Sequence, residues 1–161
     1  MKSNSLFFGL FVVVIFFIVF PLLFFNANSI LDLPKFYSQL SLVFGGFLFL
    51  LGTAIFIYCS SIFIMIGKGT PVPIEPPKEF VTKGLYKYVR NPIYHCYFLI
   101  FFSYFLIFGR LLLLVYAFIS IIAIHLYVVF HEEPLLKKRF GKKYDEYLEQ
   151  VPRWIPKIGL W

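Results

Sequence analysis

Four long runs of this chain contain no Asp, Glu, Lys or Arg: Ser3–Leu31, Phe36–Gly67, Asn91–Gly109 and Leu111–His131. A helix that crosses a bilayer needs about 20 mostly apolar residues, and each run reaches or nearly reaches that length. Composition leaves no other solvent for them. The chain is 60% hydrophobic and only 14% charged, whereas soluble domains have about 45–50% apolar and about 25% charged residues. A soluble core of 161 residues could not hide 23 Phe and 11 Tyr. The expected fold is therefore all-α and integral to a membrane, a single membrane domain over residues 1–161. Its transmembrane helices are expected near Leu6–Phe25, Leu40–Ile66, Ile93–Phe108 and Leu111–Phe130.

Turn signals fall between those helices. They are Asn26-Ala27-Asn28-Ser29 with Pro34, the Pro-rich stretch from Gly67 to Pro77, and a tight turn at Gly109-Arg110. Pro21 is expected to kink the first helix near its outer end. That helix reads as a span rather than a cleaved leader, because the run is long and Phe25 is bulky where a cleavage site wants a small residue. In the second helix, Ser41 and Gly45 have the small-xxx-small spacing that lets helices approach closely in lipid. After Pro134, Leu136, Phe140, Tyr144, Tyr147 or Leu148, and Val151 recur at helical spacing between charged residues. This predicts a C-terminal amphipathic helix at the cytoplasmic interface.

The net charge of +7 does not read as a nucleic-acid patch, because the basic residues flank the apolar runs. Lys2, the segment from Lys68 to Arg90 and the tail from Lys137 to Lys157 hold thirteen of the fifteen; Lys35 and Arg110 are the other two. Under the positive-inside rule this places both termini and the second connection in the cytoplasm. In a bacterium the membrane would be the inner one. Cys59 and Cys96 lie in apolar stretches and suggest neither a disulfide framework nor a metal site.

Three clusters on the expected cytoplasmic side carry chemistry. Gly67-Lys68-Gly69-Thr70 closes the second helix, and its glycines either end a helix or let backbone N–H groups approach a ligand. In Gly84–Tyr94, Pro92 suits a first helical turn, and Arg90 stands at the helix mouth, able to grip a carboxylate bidentately. There the alternative is a positive-inside anchor with aromatic-belt tyrosines. Glu132-Glu133 follows the fourth helix, where a helix C-terminus disfavours carboxylates unless a cation faces them. Alternatively, Pro134 opens the tail helix with Glu133 as its cap.

The run Gly-x-Tyr-x-x-x-Arg-Asn-Pro-x-Tyr at 84–94 resembles a signature of the isoprenylcysteine carboxyl methyltransferase and phospholipid N-methyltransferase superfamily. So does Glu-Glu-x-x-Leu-x-x-x-Phe-Gly-x-x-Tyr-x-x-Tyr at 132–147, followed by Val151-Pro152-Arg153-Trp154-Ile155-Pro156. The resemblance covers Gly67 to Pro156, with cofactor-site segments at 67–94 and 131–156. It implies S-adenosyl-L-methionine bound at the cytoplasmic face and methyl transfer to a small lipophilic acceptor bearing an amine, thiol or carboxylate. By motif position it implies cofactor binding by Gly67, Gly69, Arg90, Asn91, Tyr94, Glu132, Glu133 and Tyr144, with Arg90 and Glu133 catalytic. Asn91 stands where His is commoner, and Cys96 where a Gly often follows. Tyr88, Tyr94 or Tyr144 could face a sulfonium, while His95 and His131 are candidate bases and His125 needs a partner within its helix. The expected partners are membrane lipids and a lipid or lipophilic small molecule, not nucleic acid. Two other classes share the pattern: a non-catalytic membrane interaction protein, and a steroid-reductase-like, NADPH-dependent membrane reductase.

The charge asymmetry yields a direct expectation. Reporter fusions after Lys78 and Trp161 should read cytoplasmic, and those after Lys35 and Arg110 should read external. An external signal at Lys78 or Trp161 would overturn the topology.

Overall fold

The computed structural model describes residue 7 and residues 11–68 and 78–156, and every regular element among them is helical. Helix α1 is Phe11–Ile30, α2 Gln39–Gly67, α3 Pro92–Phe108, α4 Leu111–Phe140 and α5 Lys142–Gln150. A 3₁₀ turn at Gly84–Lys87 precedes α3. Among the described residues three helices are long and apolar enough to cross a membrane, namely α1, α2 and α4. The apolar α3, with 17 residues, sits at the short end of the bilayer-spanning range of about 17–25. The protein is an all-helical integral membrane protein. It divides into two compact units, Met1–Ala54 with Cys96–Ala123, and Ile55–His95 with Ile124–Trp161.

The first unit is organised around a proline in lipid. Residues Ile15–Val19 form a π-turn inside α1, with the Phe20 N–H bonding to the Ile15 carbonyl. Pro21 has no N–H to give, so carbonyls one turn earlier lose a backbone partner. In hydrocarbon each such group costs several kcal/mol unless something else satisfies it. Two tyrosines do so: the Tyr104 hydroxyl donates to the Phe17 carbonyl at 3.0 Å, and the Tyr116 hydroxyl donates to the Phe16 carbonyl. The π-turn lies just ahead of Pro21, the residue at which a kink was expected. The rings of Tyr97 and Phe101 pack on Phe17, and that of Tyr116 on Phe24, which seats α1 on α3 and α4.

The expected turn at 26–29 is helical, and α1 runs on to Ile30. Asn28 is the reason. It is fully buried, donating to the Leu33 carbonyl at 3.1 Å and accepting the Leu112 N–H at 3.0 Å. A residue that reads as a polar turn former closes the helix inward instead. The close approach of α2 to α3 is made by Gly45 and Gly52. A Cβ on Gly45 would lie 2.8 Å from the Leu106 Cβ, and one on Gly52 3.1 Å from the Cys96 carbonyl oxygen. Ser41, expected to share that contact with Gly45, caps α2 instead. The Ser41 N–H donates to the Ser38 hydroxyl and the Ser38 N–H donates to the Ser41 hydroxyl, a reciprocal arrangement at the helix start. At the α3–α4 turn Gly109 has φ +62°, and any side chain there would run into the Phe36 carbonyl.

In the second unit the same proline device recurs. Residues Val128–Glu132 form a π-turn, the Glu133 N–H bonds to the Val128 carbonyl, and Pro134 follows two residues later. The helix therefore does not stop near Phe130. It continues to Phe140, so Glu132 and Glu133 lie within α4 rather than at a C-terminus, and a helix-end dipole does not act on them. Nor is the tail one helix from Pro134 to Val151, because Gly141, with φ +56°, separates α5 from α4. The apolar side of α5 is covered by protein: Tyr144, Tyr147 and Val151 are buried with Phe80, Leu136, Phe140 and Leu148 around them.

The tyrosine–proline coupling can be measured. Tyr104→Phe and Tyr116→Phe should each lower stability in bilayer or detergent unfolding by about 1 kcal/mol, within the range measured for hydrogen bonds in membranes. With Pro21→Ala, which restores the backbone donor, those losses should shrink. Equal losses in both backgrounds would refute the compensation.

Candidate functional site

Two arginines of the second unit converge on one carboxylate. Arg90 lies between the 3₁₀ turn and α3, and its backbone N–H donates to the Pro152 carbonyl at 3.0 Å. Glu133 projects from α4 just after the π-turn. Its Oε1 is 3.1 Å from the Arg90 Nη1, and both side chains are nearly buried, 12% exposed for Arg90 and 13% for Glu133. A second guanidinium approaches from the chain after α5. The Nε of Arg153 donates to Glu133 Oε1 and its Nη2 to Oε2, each at 2.8 Å. This is the paired, two-point geometry that makes arginine–carboxylate contacts strong and directional. Among the described residues the buried Nε of Arg90 finds no hydrogen-bond partner.

A ring of polar contacts fixes the backbone around this trio. Asn91 donates from its side-chain amide to the Arg153 carbonyl at 3.4 Å. The two ring nitrogens of His95 lie 3.0 Å from the Asn91 carbonyl and 2.8 Å from the Trp154 carbonyl. The indole N–H of Trp154 donates to Nδ1 of His125 at 3.0 Å, the partner that His125 needs in its helix. Glu132 accepts a 2.6 Å hydrogen bond from the Tyr94 hydroxyl. The Tyr147 hydroxyl donates to the Tyr86 carbonyl at 2.6 Å, which ties α5 to the segment before α3.

Electrostatics follow from burial. Burial first, then the neighbouring Glu133 carboxylate, pushes the Tyr144 hydroxyl above its ordinary range, with Arg90 opposing. Tyr144 therefore stays a neutral, protonated hydroxyl beside the ion pairs. The hydrogen bonds to Glu133 raise Arg153 above the usual guanidinium range, so its charge is permanent. Among the described residues no group of three or more His, Cys, Asp or Glu could hold a metal ion.

Of the residues expected at a site, Arg90, Asn91, Tyr94, Glu132, Glu133 and Tyr144 all take part in this cluster or adjoin it. Gly67 is engaged differently, its carbonyl accepting the N–H groups of Lys78 and Glu79 at 2.7 and 3.1 Å. The left-handed residue that ends α2 is Lys68, with φ +50°, not a glycine. Gly69 lies outside the described residues. The candidate base His95 is occupied on both nitrogens by carbonyls, and His131 is exposed against the Tyr127 ring. Arg153 was missed as a site residue. Its charge had been counted with the tail, although the Val-Pro-Arg-Trp run around it was the available signal.

Residues 40–143 match the phospholipid methyltransferase family. The chain belongs to that family. A curated relative, a methanethiol S-methyltransferase from Crocosphaera subtropica, is 36% identical over 83 residues, which is 52% of this chain and 31% of the relative. The chain thus spans less than a third of that relative's length. The phospholipid methyltransferase match takes in Arg90, Glu132 and Glu133 but ends before Tyr144 and Arg153.

The coupling within the trio can be isolated in a double-mutant cycle of Glu133→Gln and Arg153→Gln, read by unfolding. A fully buried pair broken on one side costs about 3–5 kcal/mol. Arg153 is 30% exposed, so a coupling of about 1–2 kcal/mol is expected after discounting for solvent screening. Strictly additive losses would mean that the two side chains do not support each other.

Proposed function

We propose that this protein transfers a methyl group from S-adenosyl-L-methionine to a small lipophilic acceptor at the cytoplasmic face of the membrane. The observation that carries this reading is the convergence of Arg90 and Arg153 on the nearly buried Glu133. Family membership supports methyl transfer, and the basic asymmetry of the connections supports the cytoplasmic face.

The residues fit a donor of this kind. An amino-acid end carries an ammonium and a carboxylate, and the site offers a carboxylate, two guanidinium groups and one buried, unpartnered guanidinium N–H at Arg90. When bound, the donor supplies a methyl carbon on a sulfonium, whose positive charge disperses as a nucleophile attacks in line. The protein's part is alignment and the exclusion of water. Glu133 holds the ammonium, and Arg90 holds the carboxylate through a charge-assisted fork. Tyr144, kept protonated, is a hydrogen-bond donor and an aromatic face beside them; Tyr94, held by Glu132, offers a second face for cation–π contact. Asn91 serves as a positioning residue through the Arg153 carbonyl, Gly67 completes the cofactor segment at the end of α2, and Gly69 belongs to that segment by its place in the sequence.

The acceptor reaches this site from the bilayer, and the segment from Tyr97 to Phe130 is rich in the Phe and Leu that a lipophilic molecule would meet there. A terminal amine, thiol or carboxylate suits the chemistry. The name of the curated relative favours a thiol, that of the family a phospholipid amine.

Glu133→Gln should weaken binding of the donor by roughly 10- to 150-fold, the equivalent of one charge-assisted contact of about 1.5–3 kcal/mol. Calorimetry on folded protein checks this, and unchanged affinity would remove Glu133 from the site. Labelled donor offered with phosphatidylethanolamine, a prenylcysteine analogue and an alkyl thiol should label a lipophilic acceptor. Label on a water-soluble acceptor alone would defeat entry from the bilayer, and donor binding without any transfer would favour a non-catalytic role.

A further inference from the structure

Glu133 is assigned the donor's ammonium, yet both its oxygens already face a cation. Arg153 covers Oε1 and Oε2 at 2.8 Å each, and Arg90 shares Oε1 at 3.1 Å. A ligand with only a positive end would have to expel Arg153 and leave its guanidinium uncompensated. A ligand carrying both charges need not.

Resting on the donor reading above, we infer that the Arg153–Glu133 pair is the receptor for the donor's zwitterionic end and that Arg153 is a direct binding residue. The pair parts; Glu133 takes the α-ammonium, and Arg153 and Arg90 take the α-carboxylate between them. Two ion pairs on Glu133 are exchanged for three with the ligand, and no charge is left without a partner. Three observations support the exchange. Arg153 is the most exposed of the three side chains, at 30% against 13% for Glu133 and 12% for Arg90, so it is the one free to swing. Its backbone does not move with it: the Arg153 carbonyl is held by Asn91, the Trp154 carbonyl by His95, and the Pro152 carbonyl by the Arg90 N–H. The Nε of Arg90, buried and without a hydrogen-bond partner among the described residues, is a donor that an arriving carboxylate satisfies.

The inference makes the site selective for a donor that keeps its α-carboxylate. Decarboxylated S-adenosylmethionine retains the ammonium and the sulfonium and so isolates the missing group. Titration of both ligands into the purified full-length protein, as wild type, Arg153→Gln and Arg153→Lys, is the test.

Wild type should prefer the carboxylated ligand. Arg153→Gln should weaken that ligand by roughly 10- to 150-fold, the loss of a charge-assisted contact. It should leave the decarboxylated ligand unchanged or tighter, because Glu133 is no longer shared with Arg153. Retained binding of the decarboxylated ligand also shows that the variant is folded. Arg153→Lys should recover part of the loss, since an ammonium does not reproduce the two-point fork. Should Arg153→Gln not fold, the wild-type preference and the Arg153→Lys response still decide.

An equal change for both ligands, in either direction, would overturn the inference and make Arg153 a structural tie or a simple lock. Equal affinity of wild type for the two ligands would overturn it too while leaving the donor assignment standing. Wild type binding neither ligand would bring down the donor assignment itself.

Discussion

Hydrocarbon offers no hydrogen bonds, so a proline inside a membrane helix leaves a debt that another part of the protein must settle. Pro21 and Pro134 each follow a π-turn at the same spacing, two residues after its end. In the first unit the freed carbonyls of Phe16 and Phe17 draw in Tyr116 and Tyr104, and that demand fixes how α1 lies against α3 and α4. In the second unit the helix passes through the proline without breaking. It therefore delivers Glu132 and Glu133 from the wall of a continuous helix, a stiffer mount than a frayed end.

The spans were legible because lipid demands long uncharged runs, and no tertiary contact can disguise them. Their ends were less legible where one residue type serves two purposes. Asn28 has the chemistry of a turn former, but its two polar groups find partners in Leu33 and Leu112 and it becomes a buried stitch. Pro134 has the chemistry of a helix breaker, but one wider turn upstream lets the helix go on. Ser41 and Gly45 share a spacing and not a role, since a serine at a helix start is worth more as a cap than as a packing surface.

Within the candidate site, residues that sit in rigid local motifs were readable: Arg90 before a proline-led helix, and Glu132 and Glu133 together after an apolar run. Arg153 was not, because a basic residue in a basic tail looks like every other anchor until the fold turns it toward Glu133. His95 shows the opposite error. An imidazole among site residues suggests proton chemistry, yet here it is spent on two backbone carbonyls and holds the chain in place.

Several ties that close the site join residues far apart in the chain: 62 residues for Asn91 to Arg153, 59 for His95 to Trp154 and 61 for Tyr86 to Tyr147. Bringing such distant partners together carries a loop-closure cost that the local contacts of a helix do not. During synthesis the apolar helices can enter the membrane as they emerge, but Arg90 must wait until Trp154 has been made. A chain cut short between Phe140 and Val151 therefore keeps every long apolar helix among the described residues and lacks an assembled site. Such a product would pass any check that counts spans and fail only one that asks for ligand.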